Sequence, residues 1–184
     1  MQKKQTLTVQ TLVYLSVLAA MQIVLTRFLS IQTPIIRIGF GFIPLMLVAM
    51  LFGPLIGGAY AVVVDFIGIM LVPTGGGYFP GFSVSAFLGA FIYGVFLYKK
   101  PKNLWRITLS VIIVALFVDT VLNTVWLSII TGKAVYLILP PRVIKNCIMA
   151  AVKIVTMATV WKVIGEYLEK NFVEKVRCKA HSAI

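Results

Sequence analysis

The sequence predicts an all-α integral membrane protein whose single bundle crosses the bilayer six times. Composition is the first reason: of 184 residues, 60% are hydrophobic and 12% are charged, whereas about a quarter of the residues in a soluble domain are charged. The mean hydropathy of +1.01 is the second reason. The third is the recurrence of apolar runs of about 20 residues, the length that a spanning helix needs.

The first three helices follow one another closely. A continuous apolar run predicts helix 1 from about Thr8 to Leu29, and a loop over Ser30–Ile36 ends it. The next run, from about Arg37 to Phe52, is short, and Pro44 predicts a kink in it. The Gly–Pro pair that follows is a turn signal, so the third helix is expected from Pro54 to about Val72.

Stronger breaks separate the last three helices. The segment from Pro73 to Gly81 is rich in glycine and proline, so it is predicted to be a loop. Helix 4 is expected over Phe82–Tyr98, and the polar segment Lys99–Asn103 links it to helix 5, over Leu104–Ile130. Helix 6 is expected to start near Pro140 and Pro141 and to run to about Leu168, with polar last turns.

The distribution of basic residues predicts the orientation. With six spans both termini lie on one side, and that side carries most of the 17 lysines and arginines, so it is expected to be cytoplasmic. Residues 1–168 then form one transmembrane substrate-binding domain, and residues 169–184 form a polar cytoplasmic tail. The extracellular ends still hold several cations, an excess that predicts an anionic ligand. These cations are Arg27, Arg37, Lys133, Arg142 and Lys145.

One face of helix 6 carries polar and charged side chains at i, i+3, i+4, i+7 and i+11. The face comprises Arg142, Lys145, Asn146, Met149 and Lys153. A charge inside a span costs roughly 2.5 to 3.5 kcal/mol, so this face is expected to point into the bundle or into a wet cavity. Lys153 is equally well interpreted as part of a buried ion pair with Asp119 or Asp65. Ligand contact is favoured for Arg142 and Lys145, because no carboxylate of matching depth lies nearby in the sequence.

Helices 1, 3 and 5 add further polar candidates. Asn123 and Trp126 share a face of helix 5 with Asp119, and Asp65 lies on a face of small residues in helix 3. Arg27 lies on a similar face of helix 1. The alternatives are structural: Asp65 as a link between helices, Arg27 as a side chain that reaches the headgroups, and Trp126 as an interfacial aromatic residue.

The loop between helices 3 and 4 offers flexibility and flat apolar surfaces. Three consecutive glycines, with Gly76 at their centre, let the backbone approach a ligand closely, and Tyr78, Phe79 and Phe82 follow. We interpret this loop as a lid, with a plain interfacial connection as the alternative. Aromatic faces, deep hydrogen-bonding groups and cations at the rim together suit a ligand with a heteroaromatic end and carboxylates at the other end.

Motifs for other functions are missing from the sequence. It has no GxxxxGK[ST] phosphate loop, so no ATPase activity is expected, and it has no HExxH, CxxC or GxSxG motif. We expect neither an enzyme nor a metal site nor a cofactor. Nucleic-acid binding is not expected either, because the basic residues do not form one soluble patch.

Three segments carry a resemblance to a known family. They are Asp65-Phe-Ile-Gly68, the run from Pro73 to Ala86 that includes Ser83, and Pro141-Arg142-Val-Ile-Lys145-Asn146. With them the chain, over about residues 8–168, resembles the substrate-binding S components of energy-coupling factor (ECF) transporters, and the loop is similar to that of the folate-specific type.

The resemblance implies that the protein captures folate at the extracellular side of a bacterial cell membrane. It implies partnership with a membrane-embedded coupling subunit and two cytoplasmic ATPases, and reorientation in the bilayer to release folate. It also implies docking through small residues on helix 1, where Ser16-x-x-x-Ala20 stands in place of the family's Ala-x-x-x-Ala. The implied substrate-binding set is Arg27, Asp65, Gly76, Tyr78, Phe79, Ser83, Asn123, Trp126, Arg142, Lys145 and Asn146.

Folate chemistry suits these side chains. Asp65 or Asn123 could read the pterin edge, the aromatic residues could stack on its rings, and Arg142 and Lys145 could meet the two glutamate carboxylates. The residues do not fix which end of the ligand points inward. Two alternatives remain: an S component for another vitamin such as riboflavin, and a small membrane enzyme that acts on an anionic lipid.

Overall fold

The computed structural model describes residues 9–32, 37–71, 78–100, 103–132 and 134–165. Within these ranges the chain forms six helices and one short hairpin. The helices are α1 (Val9–Arg27), α2 (Phe42–Phe52), α3 (Pro54–Leu71), α4 (Pro80–Leu97), α5 (Leu104–Thr131) and α6 (Val135–Val160). All but α2 are long and apolar enough to cross a membrane. This confirms the helical membrane fold, with one of the six predicted helices too short to span.

The bundle has two ends that differ in their connections. We call the end where α1 stops and α6 starts the hairpin end, and the opposite end the terminal end. Because α2 is joined directly to α3 at Gly53, it lies in the half of the bundle nearest the terminal end. The predicted tail after residue 168 lies outside the described residues.

The start of the second helix was predicted wrongly. Residues Arg37–Gly39 form strand β2, which pairs antiparallel with strand β1, Ser30–Gln32. Helix α2 begins only at Phe42, so Pro44 lies in its first turn, where a helix needs no backbone donor, and the predicted kink loses its basis. Gly41 explains part of the difference: a Cβ there would overlap the Thr26 methyl group on α1, so the chain passes close to α1 before α2 starts.

The start of the sixth helix was also predicted wrongly. Helix α6 begins at Val135, and Pro140 and Pro141 lie inside it. Each proline removes one donor to the carbonyl four residues earlier, which leaves the carbonyls of Tyr136 and Leu137 without a helical partner. Both residues are exposed and lie in the first turn, where the loss is tolerable. A π-helical turn, Trp161–Gly165, continues α6 toward the terminal end.

Glycines let α2, α3 and α4 approach closely. A Cβ at Gly94 of α4 would lie 2.4 Å from Pro54 Cα, and a Cβ at Gly57 of α3 would lie 3.0 Å from Ala49 Cα. Helix α2 is almost fully buried between its neighbours, whereas only Thr11, Gln22 and Arg27 are buried in α1. The centre of the fold is therefore the α2–α3–α4 block, and α1 is peripheral.

Candidate functional site

The first group of predicted site residues joins α1, α3 and the start of α4. Arg27 Nη2 lies 4.0 Å from Asp65 Oδ1, and their side chains are 3% and 21% exposed. The Ser83 hydroxyl donates to Asp65 Oδ2 over 2.9 Å and lies 3.2 Å from the Tyr78 hydroxyl, which can donate to it. The Arg27 guanidinium lies against Gly68, where a Cβ would be 3.0 Å from Nε. Both carboxylate oxygens of Asp65 are thus engaged within the protein.

The second group is aromatic and joins α4 to α5. The rings of Phe79 and Trp126 are 5.7 Å apart and tilted by 55°, and Phe82 makes an edge contact with Phe79 at 6.0 Å. The Trp126 indole donates to Ser85 Oγ over 3.1 Å. A Cβ at Gly81 would lie 2.4 Å from the Phe79 ring. The half-buried Trp126 is therefore packed against α4 at the hairpin end.

The third group is a series of polar contacts between α5 and α6. Arg142 Nη1 donates to Thr124 Oγ1 over 3.3 Å. One turn deeper, Asn146 Nδ2 donates to Thr120 Oγ1 over 2.8 Å. Still deeper, Lys153 Nζ lies 2.7 Å from Asp119 Oδ2, so the ion-pair interpretation of Lys153 is confirmed.

A π-helical segment in α5 sets the register of this series. The segment is Val114–Leu122, and the Thr120 hydroxyl donates to the Ala115 carbonyl five residues earlier over 2.7 Å. Such segments widen the helical turn and are frequent at functional sites. The widened turn brings both Asp119 and Thr120 toward α6.

Lys145 and Asn123 each have a polar atom with no ion-pair or hydrogen-bond partner among the described residues. Lys145 is half-buried and has no carboxylate within 4.0 Å among the described residues. The Asn123 Oδ1 atom is buried and has no hydrogen-bond donor within the described ranges. Buried polar atoms in folded proteins nearly always have a partner, such as an ordered water or a ligand.

The predicted residues thus fall into three groups at the hairpin end. One continuous chain of contacts joins Tyr78, Ser83, Asp65 and Arg27. Arg142, Lys145 and Asn146 lie on one face of α6, and the aromatic pair lies just before α4 and on α5. Gly76 lies outside the described residues. Ser16 and Ala20 are exposed on α1, away from all three groups.

Sequence reasoning missed three partners of the predicted residues. They are Thr120, Thr124 and Ser85. The two threonines are four residues apart, next to Asp119 and Asn123, so a search for all hydroxyl and amide groups on helix 5 would have found them. Ser85 follows Ser83 by two residues and therefore points to a different side of α4.

A narrow apolar crevice lies between α2 and the end of α6. It is lined by Phe42, Ile43, Met46, Leu47, Met50, Met157, Val160 and Trp161. None of the predicted binding residues borders it. Its lining contains no charged side chain.

Comparisons with known proteins identify the chain's relatives. Residues 10–167 match the family model described as ECF transporter, substrate-specific component. The folate transporter FolT of Clostridium novyi (strain NT) is 45% identical over 167 residues, which cover 91% of this chain and 96% of that protein. The folate transporter FolT of Leuconostoc mesenteroides subsp. mesenteroides is 32% identical over 148 residues, 77% of this chain and 79% of that protein. A crystal structure of FolT bound with folic acid matches with a TM-score of 0.76 and 35% identity, over 81% of this chain and 89% of that one.

Proposed function

Because the chain belongs to the substrate-specific components of ECF transporters, we propose that it is a folate-binding subunit of an ATP-driven vitamin importer. The observation that carries this proposal is the 45% identity to a folate transporter across 91% of the chain. The match to a FolT structure bound with folic acid supports it. Folate is the transported substrate and not a cofactor, and the family is one of transport components and not of enzymes.

Arg142 and Lys145 are proposed to bind the glutamate end of folate. They project from one face of α6, three residues apart, and neither has a carboxylate within 4.0 Å among the described residues. Two carboxylates of the ligand would supply the missing partners. Asn146, held by Thr120, lies on the same face and can donate to the ligand if it exchanges that partner.

The ring systems of folate are proposed to lie against the aromatic group. Phe79 and Trp126 present adjacent faces at the hairpin end, and Ser85 holds the indole in place. Offset or tilted stacking of such rings is favourable by about 0.5 to 1.5 kcal/mol per pair. The Asn123 Oδ1 atom can accept a hydrogen bond from the amino or N–H groups of the pterin.

The first group, which consists of Arg27, Asp65, Tyr78 and Ser83, is proposed to form the rim of the site. Asp65 remains partly exposed although Arg27 and Ser83 engage its oxygens, so it can still accept a donor from the ligand. Tyr78 connects this group to the segment that contains Gly76, whose role is proposed from the sequence alone. Loop closure over the ligand would therefore involve Ser83 and Asp65.

The partners and orientation are proposed from the family. The hairpin end faces outward across a bacterial cell membrane, both termini are cytoplasmic, and a coupling subunit with two ATPases drives release. The exposed small residues Ser16 and Ala20 on α1 are the proposed docking face.

Binding by the purified protein tests the proposed function. The full chain in detergent should bind folate in calorimetry and should bind riboflavin far more weakly. A binding signal with riboflavin but not with folate would identify riboflavin as the substrate. Absence of heat with both, together with turnover of an anionic lipid, would favour the membrane enzyme.

A further inference from the structure

Four charged side chains form one electrostatic group between α5 and α6. Lys153 lies 2.7 Å from Asp119, and their side chains are 13% and 24% exposed. Arg142 and Lys145 lie on the same face of α6, three and two turns nearer the hairpin end than Lys153, and Arg142 Nη1 donates to Thr124 Oγ1 on α5. Three cations and one anion leave a net charge of +2 on this group (3 − 1 = 2).

A net positive charge between apolar helices strongly favours the binding of a negatively charged ligand. Between helices the effective dielectric is lower than that of water, so each uncompensated charge acts over several ångströms. A ligand that neutralises the group brings two negative charges. Folate with one glutamate has two carboxylates, and each additional glutamate adds one more.

We infer that Asp119 is a specificity-determining residue, because it cancels one of the three cations and so sets the site to accept two carboxylates in preference to three. The inference rests on the proposed function. Asp119 need not touch the ligand, since its effect is exerted through the Coulomb interaction. Without it the group would carry three positive charges and would suit a folate with two glutamates.

Asp65 does not affect the number of ligand carboxylates in the same way. Its counter-charge is Arg27 at the end of α1, and this pair is neutral as a whole. Among the described carboxylates, Asp119 is therefore the one that lowers the net charge of the α5–α6 group. One unit charge at about 8 Å and an effective dielectric of about 20 to 40 changes affinity on the order of tenfold.

The test compares folate with folate diglutamate on the full chain in detergent. Calorimetry gives the ratio of the two dissociation constants for wild type, Asp119→Asn and the double variant Asp119→Asn/Lys153→Gln. Asp119→Asn should shift the ratio on the order of tenfold toward the diglutamate. The double variant restores the net charge of +2, so its ratio should return to that of wild type. Lys162→Gln, which removes an exposed cation at the terminal end, should leave the ratio unchanged.

The outcomes separate this inference from the proposed function. Wild type that binds folate while the ratio is the same in all variants overturns the inference alone. A double variant that keeps the shifted ratio also overturns it, because charge then is not the cause. Wild type that binds neither ligand overturns the proposed function. If Asp119→Asn does not fold, Lys145→Gln changes the net charge of the group in the opposite direction, to +1. The ratio of dissociation constants should then shift further toward folate with one glutamate. An unchanged ratio contradicts the inference.

Discussion

Replacing Lys145 with alanine gives the most direct test of the proposed glutamate subsite. The Lys145 ammonium is half-buried and has no carboxylate within 4.0 Å among the described residues. A ligand carboxylate at about 4 Å and an effective dielectric of about 20 would gain about 4 kcal/mol from it. Desolvation of the two groups and the attraction that Lys145 already feels from Asp119 offset about half of this gain. The expected net loss is about 2 kcal/mol, or roughly 30-fold in affinity.

The assay is calorimetry with two ligands that differ only in the glutamate. Folate should bind Lys145→Ala roughly 30-fold more weakly than wild type, whereas pteroate, which lacks the glutamate, should lose little. Lys162→Ala is the matched control, because its side chain is exposed at the terminal end. Equal losses for folate and pteroate would refute the carboxylate role of Lys145.

Two further changes test the docking face and the central block. Leucine at both Ser16 and Ala20 should leave folate binding by the isolated protein unchanged and abolish folate uptake by cells, because bulky side chains on α1 prevent close helix approach. Val17→Leu is the control. Uptake by the double variant equal to that of wild type would contradict the proposed docking face. Gly94→Ala should lower the thermal unfolding temperature, because its Cβ would lie 2.4 Å from Pro54 Cα and overpacking costs about 1 to 3 kcal/mol. Gly89→Ala should not lower it, because the nearest atom is 3.8 Å away.

The long helices were predictable because each is a run of apolar residues bounded by breaks. The α3 start at Pro54 and the α4 end near Leu97 were predicted to within one residue. The hairpin was not predictable in the same way, because the pairing of Ile31 with Ile38 depends on contacts between separate segments. Arg37 and its apolar neighbours continue the hydrophobic pattern of α2, so composition alone extends the helix too far.

The candidate site was predictable along each helix but not between helices. The spacing of Arg142, Asn146 and Lys153 placed them on one face, and each contacts α5. The residues they contact were not predicted, because the π-helical segment changes the register of α5 and a regular period of 3.6 residues does not describe it. The engagement of Asp65 by Arg27 required the close approach of α1 to Gly68.

The shortness of α2 has a consequence for the bilayer itself. Its 11 residues span about 16 Å, against a hydrocarbon core of about 30 Å. It starts near the level of Lys153, whose ammonium lies 5.9 Å from the Phe42 ring. Irregular backbone at membrane depth is stable only inside protein or beside water. A cavity that admits water from the hairpin end meets this requirement, and a membrane voltage would then fall mainly across the thickness of α2.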